Sequence, residues 1–220
     1  MANNFENVCL IDNPLVQHNL SIIRNKNTDS VSFRNSIKIL STILSIEAIS
    51  NLPLKKDNVD TPIEKTEVQV IDNSANVFVV PILRAGLGIA QHLYDLLPFS
   101  TIQHLGMYRN EETLEPVWYY NKLPTTFKNV DNTYVYLCDP MLATGGSIAE
   151  AVKLYISKGV SQKNIRILSI ISAPEGLIKV NKMFPEVKIY TTCIDKGLNE
   201  KGYIIPGLGD AGDRIFGTIY

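Results

Sequence analysis

Cysteine is scarce: Cys9, Cys138 and Cys193 are the only three in 220 residues. Odd in number and far apart, they exclude a disulfide framework and point to reduced thiols in a cytoplasmic protein. Two of them sit inside apolar runs, so core thiols are expected. Neither CxxC nor HExxH spacing occurs, which removes the usual zinc sites. No apolar run reaches the ~18 residues of a membrane-spanning helix. The first residues, MANNFENVCLIDNPLVQ, lack a basic start and a long apolar stretch, so no secretory leader is expected. No sign of charge dominates: 21 Lys and Arg face 22 Asp and Glu, a net charge of −1. Such a chain lacks the electrostatic footprint of a dedicated nucleic-acid binder, so neither nucleic acid nor membrane is an expected partner.

What is present is ordinary globular composition, 45% hydrophobic and 20% charged, which excludes disorder. The length predicts one domain, 1–220, with no repeat, low-complexity tract or linker. An N-terminal helical segment of about 13–52 comes first. In it Phe33, Ile37, Leu40 and Leu44 recur at helical spacing, with Ser30 or Ser32 as cap and Pro53 as stop. The width of its apolar face fits packing or subunit contact. Residues 63–71 alternate like a half-exposed strand. The runs 77–82, 133–138 and 165–171 read as buried parallel strands. Residues 101–107 and 117–120 read as strands joined by a polar arm, and 187–194 as a late strand. Helices follow Gly88 and Ser147, and Pro174 opens another. This alternation predicts an open, mainly parallel α/β sheet, with a core of about 63–196 and an irregular, glycine-rich tail of about 197–218.

The strongest local signal is YVYLCDPMLATGGS followed by a helix. Ligands of open α/β sheets bind at the carboxyl ends of strands. There Thr144, Gly145, Gly146 and Ser147 bring closely spaced N–H groups and two hydroxyls to a helix N-terminus, a cradle for phosphate. A side chain at Gly145 is expected to block it. Asp139 would be repelled by a phosphate and suits sugar hydroxyls or a metal. Together these suit a phosphorylated sugar; the bland alternative is a capped helix with Asp139 as a turn residue. A Walker A loop is absent. The literal GxGxxG at 207–212 is rejected as a dinucleotide site, because no room remains for the helix, strand and carboxylate that must follow. Its glycines would instead expose backbone N–H and C=O groups to a small planar ligand.

VPILRAGLG, YRNEETLEP, DPMLATGGS and GYIIPGLGDAGDRIFGT, in this order, resemble the uracil phosphoribosyltransferase family. NPLVQHNLSIIRNKNT and APEG are similar too, so the likeness runs from about Asn13 to Thr218. It implies a type I phosphoribosyltransferase fold with a small hood or arm. The implied reaction is uracil plus phosphoribosyl diphosphate (PRPP) giving UMP plus diphosphate, a step of pyrimidine salvage. By motif match, Arg84 and Arg109 contact PRPP phosphates. Asp139, Pro140, Met141, Leu142, Ala143, Thr144, Gly145, Gly146 and Ser147 hold the ribose 5-phosphate. Ile204, Gly209, Asp210 and Ala211 bind uracil, with Asp210 also facing PRPP. The chain departs from the family at Asn110, where Asp is frequent, at Cys138, where an aliphatic residue is common, and in a longer stretch at 121–132. Arg84, Asp139 and Asp210 are the catalytic candidates.

Arginine suits departing diphosphate because it is always charged and grips phosphate bidentately. No carboxylate cluster makes a complete cage, so Mg²⁺ is expected to arrive with PRPP and touch Asp210 or Asp139. Asp213 is a weaker candidate for the same ion, with a salt bridge to Arg214 as the expected role. His18, His92 and His104 are general-base candidates by type only; His92 (in a helix) and His104 (in a strand) read as structural, and Asp210 or a diphosphate oxygen can accept the proton of uracil N1. Trp118, Tyr119 and Tyr120 suit either a cover for the site or core packing. The resemblance adds GTP as a candidate activator and a homo-oligomer, dimer or larger. The competing class, a nucleotide-sensing regulator of the same fold that binds RNA, needs a basic face that the charge balance does not favour. A transferase for another base is the second alternative.

Overall fold

The computed structural model describes residues 5–110 and 116–218. The chain opens with strand β1 (Val8–Leu10) and helices α1 (Pro14–Arg24) and α2 (Ser30–Ile49). A ribbon of β2 (Leu54–Asp60) and β3 (Lys65–Ile71) precedes β4 (Asn76–Leu83) and α3 (Leu87–Leu96). Then come β5 (Thr101–Ile102), β6 (Leu105–Arg109), β7 (Pro116–Asn121), β8 (Thr133–Cys138), β9 (Met141–Leu142) and α4 (Gly146–Ser157). Strand β10 (Ile165–Ser172), α5 (Pro174–Met183) and β11 (Lys188–Ile194) complete the alternation. The tail holds β12 (Gly197–Leu198), β13 (Ile204–Ile205) and α6 (Ala211–Phe216).

The main sheet runs β1-β11-β10-β8-β4-β6-β7, with the short β5 and β9 attached to β4 and β10. Every pairing is parallel except that of β6 with β7. Strands β4, β8 and β10 are near-continuous apolar runs because both their faces are covered. One face packs under α1, α2, α3 and the tail, the other under α4 and α5. On α2 the predicted stripe is the buried one: Phe33, Ile37, Leu40, Leu44 and Ala48 all lie in the core. Each large apolar side chain there contributes about 1.5–3 kcal/mol by leaving water.

Several local expectations are corrected. The cap of α2 is Asp29, one residue before Ser30; its carboxylate accepts the Val31 and Ser32 N–H groups at 2.9 Å each. Two oxygens and a full charge serve a helix N-terminus better than a hydroxyl. The helix stops at Ile49, before Pro53 is reached. The half-exposed strand at 65–71 gains an antiparallel partner, β2, which carries no alternating pattern because almost all of it faces outward. The strand predicted at 101–107 is broken, so His104 lies between β5 and β6. There Gln103 turns its side chain to accept the Tyr155 hydroxyl at 2.7 Å. Cys9 is exposed on edge strand β1; Cys138 is the buried thiol and Cys193 is half-buried. Trp118 packs against the core beneath α4, while Tyr119 and Tyr120 are exposed on β7.

Candidate active site

The parallel strands β4, β8 and β10 end at one edge of the sheet, where three loops meet. The first follows β4. Gly86 is required there: a Cβ would sit 2.2 Å from the Cys138 carbonyl oxygen and 2.6 Å from the Ile82 nitrogen. Only glycine lets this turn press against the end of β8, bringing Arg84 and Ala85 beside Asp139. The Leu83–Arg84 peptide is cis.

The second loop follows β8 and is stitched to β10. Asp139 N–H donates to the Leu168 carbonyl (3.1 Å), Leu142 N–H to the Ser169 hydroxyl (2.9 Å) and Ala173 N–H to the Leu142 carbonyl (2.8 Å). The loop enters α4 through Gly145, whose φ of 73° is left-handed. Its missing Cβ faces the carbonyl oxygen of Gly176 on α5, 3.0 Å away. A side chain at Gly145 would therefore collide behind the loop and not in the cradle, which corrects the steric expectation. The first turn of α4 carries no acidic residue, so its unpaired N–H groups and positive dipole end favour an anion.

The third loop is the tail. Asp195 holds it from the end of β11. Its carboxylate takes both terminal nitrogens of Arg24, at 2.6 and 2.9 Å, and the Gly207 N–H at 2.9 Å. Arg24 returns a bond to the Gly207 carbonyl at 2.9 Å. Burial alone would raise the Asp195 carboxyl, but the Arg24 bonds and the Gly207 N–H outweigh it and hold it below the ordinary range. Arg214 fixes α6 by donating to the carbonyls of Ile23, Leu208 and Asn25. Its own carboxylate neighbour in sequence, Asp213, pairs instead with Arg84 at 3.0 Å, which corrects the expected Asp213–Arg214 bridge. Adjacent residues on a helix point in different directions. Here Arg214 faces α1 and Asp213 faces the β4 loop.

Two cavities open between these loops. The larger, about 370 Å³, is lined by Arg84, Ala85, Asp139, the 141–148 loop, Tyr108, Asp210 and Gly212. The smaller, about 190 Å³, is lined by Ile204, Gly209, Asp210, Ala211, Gly202, Tyr203, Asp139 and Ala143. Asp139 and Asp210 border both. Burial pushes the Asp139 carboxyl up to about 7, against the lowering effect of the Met141 N–H that it accepts at 3.4 Å. Asp210 caps α6, accepting the Asp213 N–H at 2.9 Å.

Of the residues singled out by sequence, the structure gathers Arg84, Asp139, Met141, Leu142, Ala143, Thr144, Gly145, Gly146, Ser147, Ile204, Gly209, Asp210 and Ala211 on these cavity walls. Pro140 is buried behind its neighbours, its carbonyl accepting the N–H groups of Ile170 and Ile171 at 3.0 Å each. Arg109 ends β6 opposite Pro116, and the rest of the predicted arm, 111–115, lies outside the described residues. None of the three histidines is among the lining residues of either cavity. Sequence reasoning missed Arg24 and Asp195, which aim the tail, and Glu175, which accepts the Leu198 N–H at 3.0 Å. The only available signals were an Asp inside an apolar strand end and an Arg closing an apolar helix.

The sheet order, the covering helices and the glycine-rich loop at the end of β8 are those of the type I phosphoribosyltransferase fold, and the family match makes the chain a pentosyltransferase enzyme. Residues 10–218 match the uracil phosphoribosyltransferase family. A curated uracil phosphoribosyltransferase of Dictyoglomus thermophilum is 47% identical over 211 residues, covering 96% of this chain and 99% of that one. One of Clostridium perfringens is 47% identical over 208 residues, 94% and 97% of the two chains. The solved AQ2163 protein of Aquifex aeolicus superposes with a TM-score of 0.87 at 36% identity, covering 97% of this chain and all of that one. The chain belongs to the uracil phosphoribosyltransferase family.

Proposed function

We propose that this chain transfers the 5-phosphoribosyl group of PRPP to N1 of uracil, giving UMP and diphosphate, a step of pyrimidine salvage. The observation that carries the site assignment is the pair of contiguous cavities that share Asp139 and Asp210. In this reading the larger takes PRPP. The loop at 144–147 and the first turn of α4 cradle its 5-phosphate, Asp139 meets the ribose hydroxyls, and Arg84 faces the diphosphate, joined by Arg109 from β6. A fixed cation near a leaving diphosphate stabilises charge as it develops, and such a contact is worth about 10²–10³-fold in kcat.

The smaller cavity takes uracil. Ile204 and Ala211 are buried and apolar, so the polar groups available there are mostly main-chain. Uracil presents an acceptor, a donor and an acceptor, which backbone N–H, C=O and N–H groups complement. Cytosine reverses two of the three, and unpaired buried groups can reject such an analogue by about 10⁴–10⁵-fold. Asp210, bordering both cavities, is the protein group best placed to take the N1 proton.

Among the described residues no cluster of three or more His, Cys, Asp or Glu side chains forms a metal cage. Asp139 and Asp210 offer hard oxygens, the donor type Mg²⁺ takes alongside substrate phosphates and water. They are the residues that would hold it, and its chemistry is to neutralise diphosphate charge. Activation by GTP and assembly into a dimer or larger oligomer complete the reading. The exposed β2–β3 ribbon, with Leu54, Val59 and Ile63 at its surface, supports assembly. The three free cysteines fit a reducing, cytoplasmic setting. No helix among the described residues is long and apolar enough to cross a membrane.

The test is diphosphate release from PRPP and Mg²⁺ with uracil, cytosine, hypoxanthine or orotate. Uracil alone should support turnover. Equal turnover with cytosine would refute main-chain recognition, and turnover only with a purine would refute the reading as a whole.

A further inference from the structure

We infer that Asp213 is the positioning residue for Arg84 and that it ties the diphosphate end of the site to the base loop. The inference rests on the reading that Arg84 faces diphosphate. Arg84 Nη2 donates to Asp213 Oδ1 at 3.0 Å. The same carboxylate oxygen accepts the Thr218 hydroxyl at 2.6 Å, and the Asp213 carbonyl accepts the Thr218 N–H at 3.1 Å. The Asp213 N–H in turn donates to Asp210 Oδ1 at 2.9 Å. Asp213 therefore sits between Arg84, which lines the larger cavity, and Asp210, which borders both. Gly212 brings the two walls close: a Cβ there would lie 3.2 Å from Asp210 Oδ1 and 3.9 Å from Arg84 Nη2. The Phe216 ring, one turn along α6, lies 6.0 Å from the guanidinium carbon.

The arrangement has a physical consequence. The Arg84 and Asp213 side chains are 56% and 40% exposed, and an ion pair that open to water adds little to stability. It does select one orientation from the many available to a long solvated arginine. A guanidinium has five N–H donors in a rigid fork. One nitrogen is engaged by Asp213, and the remaining donors are free to grip an anion. Because Asp213 lies in the first turn of α6, directly after the 209–211 loop, fixing the guanidinium also fixes the base loop. An anion held by Arg84 draws that loop toward the cavity through the same pair.

Asp213→Asn tests this: it keeps the shape and the Oδ1 acceptor that Thr218 and Arg84 share, and removes only the charge that holds the guanidinium there. PRPP KM and the diphosphate inhibition constant should rise together by about 2- to 5-fold, the scale of one exposed ion pair. Melting temperature should barely move. Asp213→Glu should restore most of the affinity. Thr218→Val, which loosens the tail but spares the pair, should leave PRPP KM unchanged; an equal rise there would mark a merely structural role and overturn the inference. In an Arg84→Ala background, Asp213→Asn should add nothing further, and an undiminished effect would overturn it. Tighter PRPP binding in Asp213→Asn would show that the carboxylate competes with diphosphate, which also overturns it. Unchanged PRPP affinity in Arg84→Ala alone would instead sink the assignment of Arg84, and the inference with it.

Discussion

Replacing Asp139 by Asn should make the substrate-free protein more stable, and only above mildly acidic pH. Burial lifts this carboxyl from an ordinary 3.8 to about 7. Between those values the folded protein holds a proton that the unfolded chain has released. Stability therefore falls as pH rises through that window and levels off above about pH 7. About three pH units at about 1.36 kcal/mol each give a ceiling of about 4 kcal/mol for the ionised group. Asp139 borders a cavity and is only partly buried, so screening by water leaves roughly half of that, about 2 kcal/mol. Asn cannot ionise, and its oxygen keeps the Met141 N–H bond. In urea unfolding without PRPP or Mg²⁺, the two proteins should differ little near pH 4. The gap should open through pH 6 and reach about 2 kcal/mol at pH 8. In a chain of this size that corresponds to about 4–8 °C in Tm. Turnover should collapse at every pH. A stability difference that stays constant from pH 4 to pH 8 would mean that Asp139 ionises as it does in water, and the reasoning would fail.

Asp195→Asn should cost about 1–3 kcal/mol, because the Arg24 guanidinium, 25% exposed, loses its charged partner but keeps an oxygen acceptor. Uracil KM should rise more than PRPP KM, since Gly207 loses its clamp; equal rises would refute that role. The wild-type carboxylate sits below the ordinary range, so its stabilisation is full above that range and fades as pH falls through its folded value. Acid unfolding curves of the two proteins should therefore begin to approach each other only below about pH 4. Arg166, 5% exposed on β10, leaves Nε and Nη1 without hydrogen-bond partners among the described residues and lies 5.6 Å from the ring centroids of both Tyr134 and Tyr136. Replacing an unpaired buried charge by an apolar chain of similar length relieves desolvation. Arg166→Met should match the wild type in urea or gain about 1 kcal/mol, and a loss beyond about 2 kcal/mol would refute this.

The elements most legible in the sequence were those dominated by a single local demand. β4, β8 and β10 had to be continuous apolar runs because both faces are covered, and the stripe on α2 follows from helical spacing. The small residues at 143–147, which line the larger cavity, pointed to an anion cradle, because close approach of a backbone to phosphate needs N–H groups without bulk in the way. Asp139 and Asp210 were legible as acids flanking glycine-rich loops. Partners across the chain were not. The Asp29 cap is still a local matter, and it was missed by one residue. The Arg24–Asp195 clamp, the Arg84–Asp213 pair and the backing of Gly145 by Gly176 join segments distant in sequence. They exist because three strands end at one edge of the sheet and the N-terminal helices cover the tail. Periodicity and motif spacing describe what a segment can bury or hold. The identity of its counter-ion, and the direction in which a missing Cβ would point, arise only when the packed layers bring those distant segments within bonding distance.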